Sequence, residues 1–198
     1  TSPPMNRRVL FLYPPHARNT EPPLGAALLA AFLRSCGGEA RVLDLNAGAA
    51  PALALGAPDA PDARTHRAAL HVAGALRALR TPEGYASPAR YRTHVAHYAA
   101  ALRARARGEP WDLTPGDFTD GRCPDFGAAA VEPFIDAPER VPFLARCAEI
   151  AGPVLREFEP DTVGISVIFR SQLLPAAALG GGFLRSEEHT SELQSHHP

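Results

Sequence analysis

Lysine is absent. All 20 basic residues of this 198-residue chain are arginine, a pattern that matches GC-rich coding beside the abundant Ala, Pro and Gly, so the arginines are not read as phosphate recognition. The formal net charge of −1 gives no electrostatic case for a nucleic-acid or anionic-lipid partner. Cysteine is scarce. Cys36, Cys123 and Cys147 are odd in number and far apart, which fits free thiols in a reducing cytoplasm better than a disulfide frame or a metal site. No apolar run approaches the ~20 residues of a membrane span, and no secretory signal is present. No GxGxxG and no GxxxxGK[ST] occur, which disfavours a dinucleotide or nucleoside-triphosphate site. No GxSxG and no Cys/His pair occur either, so nucleophile chemistry has no candidate.

What is present is a set of buried-strand signals with proline-rich corners. Val163–Phe169 is nearly unbroken, branched and apolar, as a parallel strand covered on both faces would be. Ser166 is its one polar side chain; its hydroxyl either bonds within the sheet or faces a ligand. Arg8–Tyr13 reads as a first strand and Ala40–Leu45 as a second. Between them Pro22-Pro23 opens a helix over Leu24–Ser35, with Leu24, Leu28, Phe32 and Ser35 on one face. Strand, helix and strand in so short a span form a βαβ unit with a parallel pair.

The middle departs from a minimal α/β domain. Ala47–Ala63 reads as a loop. Thr65–Arg80 has Leu70, Ala73, Leu76 and Leu79 at helical spacing. Ser87-Pro88 caps a helix with Tyr91, Val95, Tyr98 and Leu102 in one stripe. Trp111–Glu132 reads as ordered but irregular, and Asp136-Ala-Pro-Glu139 as a capping box opening a helix to about Phe158. Cys147 lies on its apolar stripe, where core packing is the default. His94 and His97 are three apart, but a third ligand is missing, which favours surface histidines. The expected fold is α/β, with an incomplete Rossmann-like (flavodoxin-like) parallel sheet and a helical insertion at about 60–135 between its second and third strands.

In such a sheet the chain reverses between the first and third strands, and ligands dock at the carboxyl ends there. The two loops at that point are Pro14–Gly25 and Phe169–Pro175. Candidate contacts are Pro15, His16, Thr20, Glu21 and Gly25 on the first, Asn46 after the second strand, and Ser166, Val167, Ile168, Arg170 and Gln172 at the third.

Five pieces in this order, Val9-Leu-Phe-Leu-Tyr-Pro-Pro15, Glu21-Pro-Pro-Leu-Gly25, Val42-Leu-Asp-Leu-Asn46, Pro160-Asp-Thr-Val-Gly-Ile-Ser166 and Ser171-Gln-Leu-Leu-Pro175, resemble the N-terminal cobalamin-binding domain of B12-dependent radical SAM proteins. The resemblance covers both ends of Met5–Leu184 and is loose in the helical middle. It implies a corrinoid on the carboxyl edge of the sheet, with Ser166-Val-Ile168 near the buried nucleotide tail. The Asp-x-His-x-x-Gly motif of classical B12 domains is absent, so the implied cobalt is not ligated by a protein histidine; His16 as a ligand is the lesser alternative. CxxxCxxC is also absent. The resemblance therefore assigns the [4Fe–4S] cluster and S-adenosylmethionine to a C-terminal radical SAM domain outside this chain, in a parent of methyltransferase type, and makes this portion non-catalytic by itself.

Both ends read as foreign to the domain. Thr1–Pro4 precedes the only Met and fits a leader or read-through. From Arg185 the chain resembles the in-frame translation of a sequencing adapter, so residues 185–198 are expected to be non-native and 5–184 a domain fragment. The competing expectation is a doubly wound domain for another ligand or partner, such as a glycosyltransferase-like half-domain or a regulatory module.

Overall fold

The structure, a computed structural model, describes residues 7–16, 22–56 and 62–182. The readings of Thr1–Pro4 and of the tail from Arg185 lie outside the described residues.

Three parallel strands form the sheet: β1 (Arg8–Tyr13), β2 (Glu39–Asp44) and, after the insertion, the strand Thr162–Ile165. Helix α1 (Leu24–Ser35) joins the first two. The insertion holds α2 (Asn46–Leu55), α3 (Ala63–Ala78) and α4 (Pro88–Ala106), then an antiparallel hairpin of β3 (Trp111–Thr114) and β4 (Asp117–Asp120), then α5 (Ala128–Asp136) and α6 (Leu144–Phe158). Thr162–Ile165 is thus β5, and α7 follows over residues 173–182. The sheet order is β2-β1-β5. The fold is α/β and Rossmann-like, with β1 central and the reversal between β1 and β5 where the pattern places it.

Register explains the two faces. Leu10 and Leu12 are fully buried and join the main core with Leu102, Phe134 and Phe143. Phe11 points to the opposite face and pairs with Gly164. A Cβ on Gly164 would stand 3.0 Å from the Phe11 ring, so glycine is what lets that ring lie across β5.

Several expectations need correction. Helix α1 has the expected bounds, but its large apolar residues are not inward: Leu24, Leu28 and Phe32 are 62–64 % exposed, while Ala26 and Ala30 are buried. Small residues let the helix lie close to the sheet and turn the leucines out. In α3 the buried apolar residues are Ala68, Val72, Ala75 and Leu76, while Leu70 is exposed. The segment after β2 is not a loop but α2, whose alanines favour helix despite Pro51. Pro51 lacks the N–H that would bond the Ala47 carbonyl, and Arg80 Nη2 donates to that carbonyl instead, at 3.3 Å.

Within Trp111–Glu132 only residues 121–127 are irregular. Trp111, Leu113 and Phe118 alternate inward around Pro115-Gly116 and form the hairpin. The helix expected from Asp136 begins only at Leu144, because Pro138 and Pro142 break the stretch into a short 3₁₀ turn. Finally, β5 ends at Ile165 rather than Phe169. Its neighbour β1 gives way to Pro14-Pro15, and the last ladder bond is Ser166 N–H to Leu12 O at 2.9 Å.

Candidate functional site

The carboxyl end of the sheet is built from three chain corners. Tyr13 leads into Pro14, Pro15 and His16; Asp44 leads into Asn46; Ile165 leads into Ser166–Gln172. The first and third corners are joined side chain to backbone. Gln172 Nε2 donates to Pro14 O at 2.7 Å, and its Oε1 accepts from the backbone N–H of Ile168 and Phe169 at 2.9 and 3.1 Å. Ser171 Oγ donates to His16 O at 2.7 Å. Gln172 is fully buried, and each polar end of its amide is engaged. The two proline-flanked loops therefore meet, as the strand order requires.

His16 is fully buried beneath the hairpin. Its Nε2–H donates to the Thr114 carbonyl, which fixes the neutral tautomer and leaves Nδ1 without a partner among the described residues. The ring stacks on Phe143 at 5.7 Å, and Phe118 of β4 meets Phe143 edge-on at 5.3 Å. An aromatic cluster thus roofs the end of β1 with the chain's own hairpin. Burial lowers the imidazole pKa below its ordinary 6.5, against smaller raising effects from the Thr114 bond and the charge of Asp117.

That shift has a stability consequence. The unfolded chain protonates His16 near pH 6.5 while the folded chain does not, so the neutral ring's contribution is complete above pH 6.5 and is lost as pH falls below it. One proton corresponds to a slope of about 1.4 kcal/mol per pH unit. Urea unfolding at pH 7.5, 6 and 5 is expected to show this loss in the natural chain and a flatter profile in His16→Gln, whose amide also donates to Thr114. Equal slopes in the two proteins would mean the ring is not buried neutral. His97 shifts the same way through burial and its neighbours His71, His94 and Arg67, and the difference between the two proteins removes its share.

The remaining candidates divide by exposure. Pro15 and Asn46 are buried, and Asn46 is the first residue of α2. Asp44 Oδ1 accepts from Ala47 N–H at 3.0 Å, and partial burial raises its carboxyl. Arg170 donates to Pro124 O at 3.0 Å and lies 4.4 Å over the Phe126 ring, tying the third corner to the hairpin's exit. Thr20 and Glu21 lie outside the described residues.

Four candidates stay open to a ligand. Val167 and Ile168 are 43 % and 54 % exposed. Ser166 is half-buried, and its hydroxyl, which could have bonded within the sheet, has no partner among the described residues. Gly25 is exposed, and a Cβ there would meet nothing within 4 Å, so its small size is not spent on helix–sheet contact. Ser166, Val167 and Ile168 thus form an open ledge at the carboxyl end of β5, while Gly25 stands exposed in the first turn of α1, which packs against β2 and β1.

No protein-family model, curated protein or solved structure matches this chain.

No described group of three or more His, Cys, Asp or Glu could hold a metal ion. His71 and His97 stack at 5.1 Å across α3 and α4, so His97 pairs between helices rather than with His94. The described cysteines are free, and burial pushes the Cys147 thiol up to about 12, an unreactive core residue. Among the described residues no helix is long and apolar enough to cross a membrane. The hairpin is the feature sequence reasoning missed. Its signal was the alternation Trp111, Leu113 and Phe118 about a Pro-Gly turn.

Proposed function

We propose that this chain is a corrinoid-binding module whose cofactor rests on the ledge Ser166–Ile168 at the carboxyl end of β5. The observation that carries the reading is the joining of the first and third corners through Gln172 and Ser171. It fixes a rim at the sheet reversal beside an apolar shelf and the half-buried Ser166 hydroxyl. Those residues fit a broad, flat, amide-fringed ligand: Val167 and Ile168 offer apolar contact and Ser166 a hydrogen bond.

His16 does not fit the role of cobalt ligand. It is buried, bonded to Thr114 and stacked on Phe143, so the proposed corrinoid is held without a protein histidine. A bound corrinoid supplies alkyl-transfer chemistry at cobalt. The chain's part is to bind and orient it, in service of a radical SAM domain carrying the [4Fe–4S] cluster and S-adenosylmethionine.

Titration with hydroxocobalamin, followed by visible absorbance and calorimetry, tests this. One equivalent is expected to bind, with affinity at least about tenfold weaker in Val167→Glu/Ile168→Glu, a loss of about 1.4 kcal/mol. His16→Gln should leave the bound spectrum unchanged. An absence of uptake by the natural chain would remove the reading. The exposed apolar face of α1, with Leu24, Leu28, Leu29 and Phe32, favours a second one, an interaction module. Self-association abolished by Leu28→Glu/Phe32→Glu, without corrinoid uptake, would select it.

A further inference from the structure

A cavity of about 620 Å³ lies between α2, α3 and α4, closed on one side by the Pro115-Gly116 turn of the hairpin. It opens beside the carboxyl end of β2, whereas the ledge sits at β5, with β1 between them. Its size falls within the range of small-molecule sites. The walls are apolar and aromatic: Leu76, Val95, Tyr98, and the Tyr85 and Tyr91 rings, which stand 5.4 Å apart.

Two features show that these walls are held in place. The Tyr85 hydroxyl donates to Leu79 O at 2.8 Å, which pins the ring against the end of α3. Arg80 donates to Ala47 O at 3.3 Å, which sets the guanidinium at the mouth. Arg80 is the one charged residue among those described that line the cavity, and no carboxylate lines it. Arg80 makes no ion pair among the described residues. An apolar, aromatic chamber lined by a single cation selects a ligand with a flat apolar body and one negative group.

We propose that this cavity binds an aryl carboxylate or sulfonate one or two rings wide, its ring against Tyr85, Tyr91 and Leu76 and its anion facing Arg80. The site is independent of the corrinoid ledge.

The test uses the full chain and two dyes. The anionic 1-anilinonaphthalene-8-sulfonate is expected to bind with enhanced emission at one saturable site. Arg80→Gln should weaken it about tenfold, equal to about 1.4 kcal/mol, yet leave the neutral N-phenyl-1-naphthylamine within about twofold. Val95→Trp, which fills the chamber, should abolish saturable binding of both. If that protein loses its helical circular dichroism, Tyr91→Ser replaces it, with an expected loss of at least about fivefold for both dyes, about 1 kcal/mol. Leu28→Glu/Phe32→Glu should change neither affinity. The proposal is overturned if the natural chain shows no saturable site, if Arg80→Gln affects both dyes alike, if a folded cavity variant binds as before, or if the α1 variant abolishes binding.

Discussion

Replacing Gln172 by Met is expected to cost about 2–4 kcal/mol of folding stability, the largest loss from a single side chain at the sheet edge. Met keeps the length and apolar stem but none of the three hydrogen bonds. The Pro14 carbonyl, bonded at 2.7 Å, would then be left unpaired in a buried position, which carries the full desolvation cost. The amides of Ile168 and Phe169 lie in partly exposed chain, so water takes over part of their loss. A glutamate in place of Gln172 would still accept from both amides, yet would set a carboxylate oxygen against the Pro14 carbonyl. Gln172→Glu should therefore destabilise as well, and less so at acid pH where the carboxyl carries a proton to donate. Urea denaturation at pH 7 and pH 4.5 measures both. A Met variant as stable as the natural chain would show that the corners are held by something other than this amide. Under the corrinoid reading, the same variant should also lose cofactor affinity, because the ledge Ser166–Ile168 hangs from that amide.

The strands and their order were legible because each rests on a continuous local signal. Arg8–Tyr13 is a branched apolar run, and the prolines after it stop it at the residue where β1 stops. The same prolines shortened β5, an effect invisible along one strand: Val167–Phe169 is apolar enough to pair, but β1 has left. Local pattern does not say which way α1 faces. Its leucine stripe has helical period, yet alanine is what fits against the sheet, and period alone does not choose between two faces. The candidate loops were legible as neighbours from strand order. Their internal division was not. Whether His16 faces a ligand or bonds the framework depends on the hairpin, which comes about a hundred residues later and roofs the end of β1 through Thr114 and Phe118, whereas Gln172 is settled by its bond to Pro14, 158 residues away in sequence.

The hairpin also closes the second cavity, and the turn opposite it yields the next largest expected effect. Gly84 sits in the 3₁₀ turn Pro82–Tyr85, which passes directly over the end of α3. A Cβ at Gly84 would stand 2.0 Å from the Ala78 carbonyl oxygen and 2.6 Å from its carbon. Those are backbone atoms, so no rotamer change relieves the contact; the turn or the end of α3 must move. Gly84→Ala is expected to cost about 2–3 kcal/mol, the upper part of the range for overpacking, lowering Tm by roughly 5–10 °C for a chain of this size. Gly74, inside α3, gives the opposite sign. A Cβ there meets nothing within 4 Å, and Ala in a helix interior is favoured over Gly by about 0.5–1 kcal/mol, so Gly74→Ala should raise Tm. The two substitutions add the same methyl group to neighbouring parts of one unit, one with open space around it and one against backbone, so opposite signs are expected. The displaced turn carries Tyr85 with it, and the phenol's bond to Leu79 with the ring. Gly84→Ala should therefore weaken both dyes in the Tyr85–Tyr91 cavity, while Gly74→Ala leaves them unchanged. Equal stability of Gly84→Ala and the natural chain would mean that the turn does not lie on α3, and the aromatic wall would lose the contact that positions it.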